Sequence, residues 1–67
     1  MQGIIEKYYK RPKKTKLPYG FITGYDGESY YFNSKNLLSD INIGDEVSFK
    51  GRRNEKGFVA FEVKAIK

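Results

Sequence analysis

The side chains best suited to chemistry in this chain are rings and cations, rather than general bases or nucleophiles. Two aromatic runs stand out, Tyr19-Gly20-Phe21-Ile22 and Tyr30-Tyr31-Phe32-Asn33, joined by a segment carrying Gly24, Asp26 and Gly27. Turn residues between β-rich stretches are a hairpin signal. Strand side chains alternate between faces, so Tyr19 and Phe21 share one face while Gly20 and Ile22 share the other. By the same rule Tyr31 and Asn33 lie opposite Tyr30 and Phe32. With Ile22 and Phe32 directed inward, Tyr19, Phe21 and Tyr31 form an outward cluster of rings. Exposing three large rings brings no folding benefit, and in a soluble monomer such a patch marks a binding surface. The plain alternative places every ring in the core, because small β-domains need aromatics inside.

Charge points the same way through its placement. The chain has 13 Lys and Arg against 8 Asp and Glu, a net charge of +5. Lys10, Arg11, Lys13, Lys14 and Lys16 crowd one segment, and Lys50, Arg52, Arg53 and Lys56 crowd another. Only Glu55 accompanies them, so the rest of the chain carries more acid than base. A basic run repels itself and stays mobile unless something anionic neutralises it, although such runs are often just solvated loops.

Composition excludes several classes. Sixty-seven residues make one domain, 1–67, near the lower limit for folding without staples. There is no cysteine and no histidine. A disulfide framework, a thiolate metal site, a thiol nucleophile and the commonest general base are therefore all missing. Ser29, Ser34, Lys35 and Asp40 lie close in sequence but lack a base-orienting partner, and Ser34-Lys35 reads more simply as a polar turn. No enzyme, metal, cofactor or small-molecule substrate is expected. No apolar run approaches the roughly 20 residues of a membrane span, and Met1-Gln2-Gly3 does not begin a secretory signal, so a cytoplasmic monomer away from membranes is expected.

Five short strands must position these groups. The first covers Gly3 to about Tyr9, where alternation leaves the faces of Ile4 and Ile5 open because a bulge would change the parity. Lys10 to Pro18 is a loop, with Pro12 and Pro18 kept out of any sheet interior. Strands at Tyr19–Thr23 and Ser29–Asn33 follow. Ser34 to Ile43 is a turn or a single helical turn supplying Leu37, Leu38 and Ile41 to the core. Gly44-Asp45 turns into a fourth strand, Glu46 to about Lys50, with Val47 and Phe49 inward. Gly51 to Gly57 is a polar, basic connection. The fifth strand, about Phe58–Ala65, places Val59, Phe61 and Val63 on one face, with Ala60 inside instead if the strand is bulged. Such regular short strands in a small chain predict an all-β, five-stranded antiparallel Greek-key barrel of the partly open OB type. Oligonucleotide sites of that fold use the face of strands two and three with the one–two and four–five loops. Those are the places where the rings and both basic clusters fall.

Nearly the whole chain also resembles the cold-shock domain. Tyr19-Gly20-Phe21-Ile22 looks like the heart of its first ribonucleoprotein-type motif, usually Lys-Gly-Phe-Gly-Phe-Ile. Tyr30-Tyr31-Phe32-Asn33 looks like the second, usually Val-Phe-Val-His, and Asp26-Gly27 matches the turn between them. Ile41-Asn42-Ile43-Gly44-Asp45-Glu46-Val47-Ser48-Phe49 resembles the Leu-x-x-Gly-x-x-Val-x-Phe stretch of the fourth strand. Gly57, Ala60 and Val63 match the fifth strand, and Gly3 and Ile5 match the opening Gly-x-Val. The resemblance implies a binder of single-stranded RNA and DNA that stacks bases on Tyr19, Phe21 and Tyr31, with Tyr8 near the same face. The sequence also departs from the pattern. The exposed Trp of the first strand falls on Lys7, the motif's Lys-Gly on Leu17-Pro18, its His on Asn33, and the aromatic after that His on Ser34. The first loop is longer and more basic than usual, and the loop after strand three is shorter and lacks its stacking Phe.

The expected partner is therefore single-stranded RNA or DNA, bound with little sequence choice and with RNA-chaperone-like or regulatory consequences. Rings Tyr8, Tyr19, Phe21 and Tyr31 would stack bases, and Asn33 would hydrogen-bond a base edge or ribose. Lys7, Lys10, Arg11, Lys13, Lys14, Lys16, Arg52 and Arg53 would neutralise phosphates. The rival expectation is a protein-interaction module of the same fold, docking a partner's apolar side chains on the aromatic face. It leaves both basic clusters unexplained unless that partner is acidic.

Overall fold

A computed structural model describes residues 1–11, 13 and 17–66. Its strands are β1 (Gln2–Tyr9), β2 (Tyr19–Gly24), β3 (Ser29–Asn33), β4 (Glu46–Asn54) and β5 (Gly57–Ala65), with a 3-10 turn at Ser34–Asn36. They close into a barrel in the order β1-β2-β3-β5-β4. Every neighbouring pair is antiparallel except β3 with β5, which run parallel through Tyr31 and Val59. The all-β five-stranded class is as the spacing predicts and is consistent with an OB-like architecture. The barrel is closed rather than partly open, and one of its pairings is parallel.

Alternation along β2 and β3 is unbroken, with Tyr19 opposite Asn33, Phe21 opposite Tyr31 and Ile22 opposite Tyr30. Ile22, Tyr30 and Phe32 therefore point inward and are buried. Ile5, Ile41, Val47, Phe49, Ala60 and Val63 complete the buried core. Burying one such large apolar side chain is worth about 1.5–3 kcal/mol, the main resource of a small chain without cross-links. Gly20 sits where a Cβ would meet the Lys7 carbonyl and the Phe32 ring, so the absent side chain lets β1 and β2 close over the core.

Three sequence expectations change. Leu38, expected in the core, is exposed; its backbone N–H donates to the Val63 carbonyl at 2.7 Å, while Leu37 packs against the core. The connection read at Gly51–Gly57 is mostly strand. β4 continues to Asn54 and β5 starts at Gly57, leaving a turn at Glu55 and Lys56. In β5 the pairing jumps from Ser48–Lys64 to Lys50–Phe61, with Glu62 at a φ of 51°. This bulge puts Ala60 and Val63 inside together and turns Phe61 outward. Phe61 was expected inward with Val59 and Val63; the bulged alternative, with Ala60 inside, is the one observed.

The β2–β3 turn carries its own lock. Gly27 has a φ of 86°, which a side chain would strain, and its N–H donates to the Gly24 carbonyl at 2.9 Å. Tyr30, packed against Phe49 and Phe58, donates its hydroxyl to Asp26 at 2.6 Å. That bond holds the Asp26 carboxyl below its ordinary 3.8 and pushes the Tyr30 phenol up to about 12 from 10.0. A depressed carboxyl stabilises the fold above its unfolded value and loses that contribution as pH falls through the folded one. A raised phenol stabilises it below the unfolded value and loses this as pH rises through the folded one. The stability gap between wild type and Tyr30→Phe should therefore be flat from about pH 5 to 9 and narrow on both sides. Urea midpoints across pH measure it, and a pH-independent gap would refute the hydroxyl–carboxylate lock.

Candidate nucleic-acid interface

The outer face of β2 and β3 carries the predicted ring cluster. Tyr19 and Tyr31 have centroids 6.0 Å apart, Phe21 and Tyr31 meet edge-on at 5.8 Å, and Tyr19 and Phe21 at 6.3 Å. Tyr19 and Phe21 are half-buried by these contacts, and Tyr31 is exposed.

β1 adds to this surface in a way that alternation alone does not give. Its pairing skips from Ile5–Ile22 to Lys7–Phe21, so Glu6 is the extra residue of a bulge. Beyond it the parity is reversed. Lys7 is exposed beside Phe21, and Tyr8, opposite the buried Gly20, turns toward the core. Tyr8 packs on Phe32 at 5.7 Å between centroids, which removes it from the face to which the resemblance assigned it. Tyr9 takes that position. It pairs with Tyr19, lies 5.0 Å from it ring to ring, and is exposed. The bulge that turns both Ile5 and Tyr8 toward the core is the reason.

On the other side the surface continues onto β5 and β4. Val59, beside Tyr31, and Phe61 face outward with Lys50 and Arg52 of β4. Phe21, Tyr31, Val59 and Phe61 wall a groove of about 630 Å³ whose rim includes Asn33, Asn36, Asn54 and Lys56. Sequence reading missed Tyr9, Val59 and Phe61 as surface residues, because each depends on a bulge or on a pairing between strands distant in sequence.

The cations divide. Lys10 donates to Asn42 Oδ1 at 2.9 Å and lies 5.5 Å from the Tyr8 ring centroid, while Arg11 and Lys13 are exposed. Lys14 and Lys16 lie outside the described residues. Arg52 and Arg53, expected on a loop, occupy strand positions with their guanidinium groups 5.8 Å from the Phe61 ring and 6.0 Å from the Phe58 ring. Lys50 pairs with Glu62 at 2.9 Å, an exposed ion pair of little energetic weight. Asn33 is more constrained than expected. It caps the 3-10 turn, its Oδ1 accepting from the Lys35 N–H at 2.9 Å, while Asn36 Oδ1 accepts from the Asn33 N–H at 3.0 Å. Its amide NH2 and the second lone pair of Oδ1 stay available to a ligand.

Compared with known proteins, the sequence matches no family model, and no curated protein is significantly similar to it.

Proposed function

We propose that the protein binds single-stranded RNA or DNA on the outer face of β1, β2 and β3, as a divergent member of the cold-shock group. The observation that supports this best is the cluster of Tyr9, Tyr19, Phe21 and Tyr31 with Lys7 paired beside Phe21 and Arg52 over the adjoining Phe61. Every base has a π-face, so such a cluster holds unpaired bases with little sequence choice, at roughly 1–3 kcal/mol per stacked base. Lys and Arg around it neutralise phosphates and release counterions. A duplex hides its base faces. Binding only the unpaired state shifts the pairing equilibrium, which is the physical basis of chaperone-like action on RNA. On this reading the protein acts as a cytoplasmic monomer without a catalytic step.

The test is a titration with a labelled oligouridine and with a hairpin stem of equal length. Tighter binding of the unpaired strand by at least about tenfold is expected, since several bases stack at once. Equal affinity for the stem would refute a stacking surface and leave only electrostatic attraction.

A further inference from the structure

The β4–β5 hairpin carries an open strand edge. β4 pairs with β1 through Gln2–Ser48, Gly3–Val47 and Ile4–Glu46. The Phe49 N–H then donates to the Met1 carbonyl at 2.8 Å, and the Met1 amino group to the Phe49 carbonyl at 3.0 Å. From Lys50 to Asn54 the strand pairs with β5, and no other described residue pairs with it. Bonding direction alternates along an antiparallel ladder. Phe49 bonds toward the β1 side, so Gly51 and Arg53 direct their N–H and C=O groups the same way. The two-residue turn at Glu55 and Lys56 agrees, because its closing pair, Asn54–Gly57, sets Asn54 and Arg52 to bond toward β5. Lys50 to Asn54 are all exposed, and cations stand on both faces of this edge. Lys50 and Arg52 lie on the outer face, Arg52 by the Phe61 ring, and Arg53 lies on the other by the Phe58 ring.

A bare edge is a ready surface for a further strand, and charged side chains on it ordinarily deter pairing. Here the deterrence is selective. A second copy would set the same cations against one another, whereas an acidic strand would find them complementary. A phosphodiester chain only accepts, so it could meet the two N–H groups but not the two carbonyls; a peptide backbone meets both. We infer that Lys50–Asn54 is a docking edge for an extended acidic segment of a partner protein. The segment adds as a strand beside β4, its backbone bonded to Gly51 and Arg53 and its carboxylates beside Lys50, Arg52 and Arg53. The inference does not depend on the single-strand reading.

The probe is a capped octapeptide of alternating Glu and Val, titrated into the full chain at low salt. Amide hydrogen exchange should slow at least about tenfold at Gly51 and Arg53 once the octapeptide saturates the chain. It should stay unchanged at Arg52 and Asn54, which already bond to β5. The same octapeptide N-methylated at every amide keeps its carboxylates but donates nothing, and should bind at least about tenfold more weakly. Arg53→Pro removes one edge N–H at a position where an edge strand tolerates proline, and Arg53→Gln removes the charge alone. The proline variant should bind the octapeptide about fivefold more weakly than the glutamine variant. Equal binding of the two octapeptides, or protection spread evenly from Gly51 to Asn54, would overturn the inference and leave only charge attraction. So would equal binding by the two Arg53 variants with native circular dichroism. Protection of the same amides by an octamer of uridine but not by the octapeptide would overturn it in favour of nucleic acid. Protection that rises with protein concentration alone would overturn it in favour of a second copy.

Discussion

Phe32→Ala should destabilise the fold by roughly 3–5 kcal/mol, whereas Phe21→Ala should cost about 1 kcal/mol and instead weaken oligonucleotide binding by roughly 1–3 kcal/mol. The two residues are of one type and sit on adjacent, paired strands, yet they face opposite ways. Phe32 is fully buried among Ile5, Ile22 and Val63, and its ring meets Tyr8. Removing it leaves a cavity that a closed barrel cannot collapse around. Net stability of a small domain is only about 0.05–0.15 kcal/mol per residue, so this one change approaches the whole of it. Phe21 touches Tyr19 and Tyr31 edge-on and is partly open to solvent, so its loss removes ring contacts without emptying the core. Urea denaturation measures the first effect and titration with oligouridine the second. Phe32→Leu supplies a graded variant if the alanine form does not fold. A Phe21→Ala protein that unfolds while Phe32→Ala stays folded would invert the assignment of faces.

That assignment could be read from the sequence because β2 and β3 pair without a slip. Period-two alternation survives only while the register does. Where a strand carries one extra residue, everything beyond it changes face, and nothing in composition marks the spot. Glu6 in β1 makes Tyr9, instead of Tyr8, the surface ring. The shift near Glu62 in β5 exchanges Phe61 for Ala60 in the core, and Glu62 reaches a positive φ without being glycine. The β4–β5 hairpin was illegible for another reason. Arg52, Arg53 and Asn54 resemble a loop in type, but ladder pairing holds them extended and Phe58 and Phe61 lie under the guanidinium groups. The cap at Asn33 was visible in principle. An Asn followed three residues later by Asn36 is a variant of the capping-box spacing, obscured here by the expectation that Asn33 reads a base.

Neutralising Lys10, Arg11 and Lys13 to Gln should flatten the salt dependence of binding while leaving the preference for unpaired strands in place. For single strands log K falls against log salt with a slope of about −0.7 per phosphate neutralised. About four to six phosphate contacts would then give a slope of roughly −3 to −4, and about a hundredfold loss of affinity between 50 and 200 mM salt. The triple variant should be flatter by about one to two units, losing only about tenfold over the same range. The change should fall short of three full contacts because Lys10 is already engaged by Asn42 and lies by the Tyr8 ring. Arg11 and Lys13 are exposed and should account for most of it. The double variant Phe21→Ala with Tyr31→Ala should do the converse, lowering affinity at every salt concentration and erasing the preference over a hairpin stem while keeping the slope. The separation is physical: cations read phosphate on any strand, but a ring needs a base that has left its stack. A triple variant with the full wild-type slope and unchanged low-salt affinity would show that this basic segment is merely solvated. The phosphate contacts would then belong to Lys7, Arg52 and Arg53, which stand on the strands themselves.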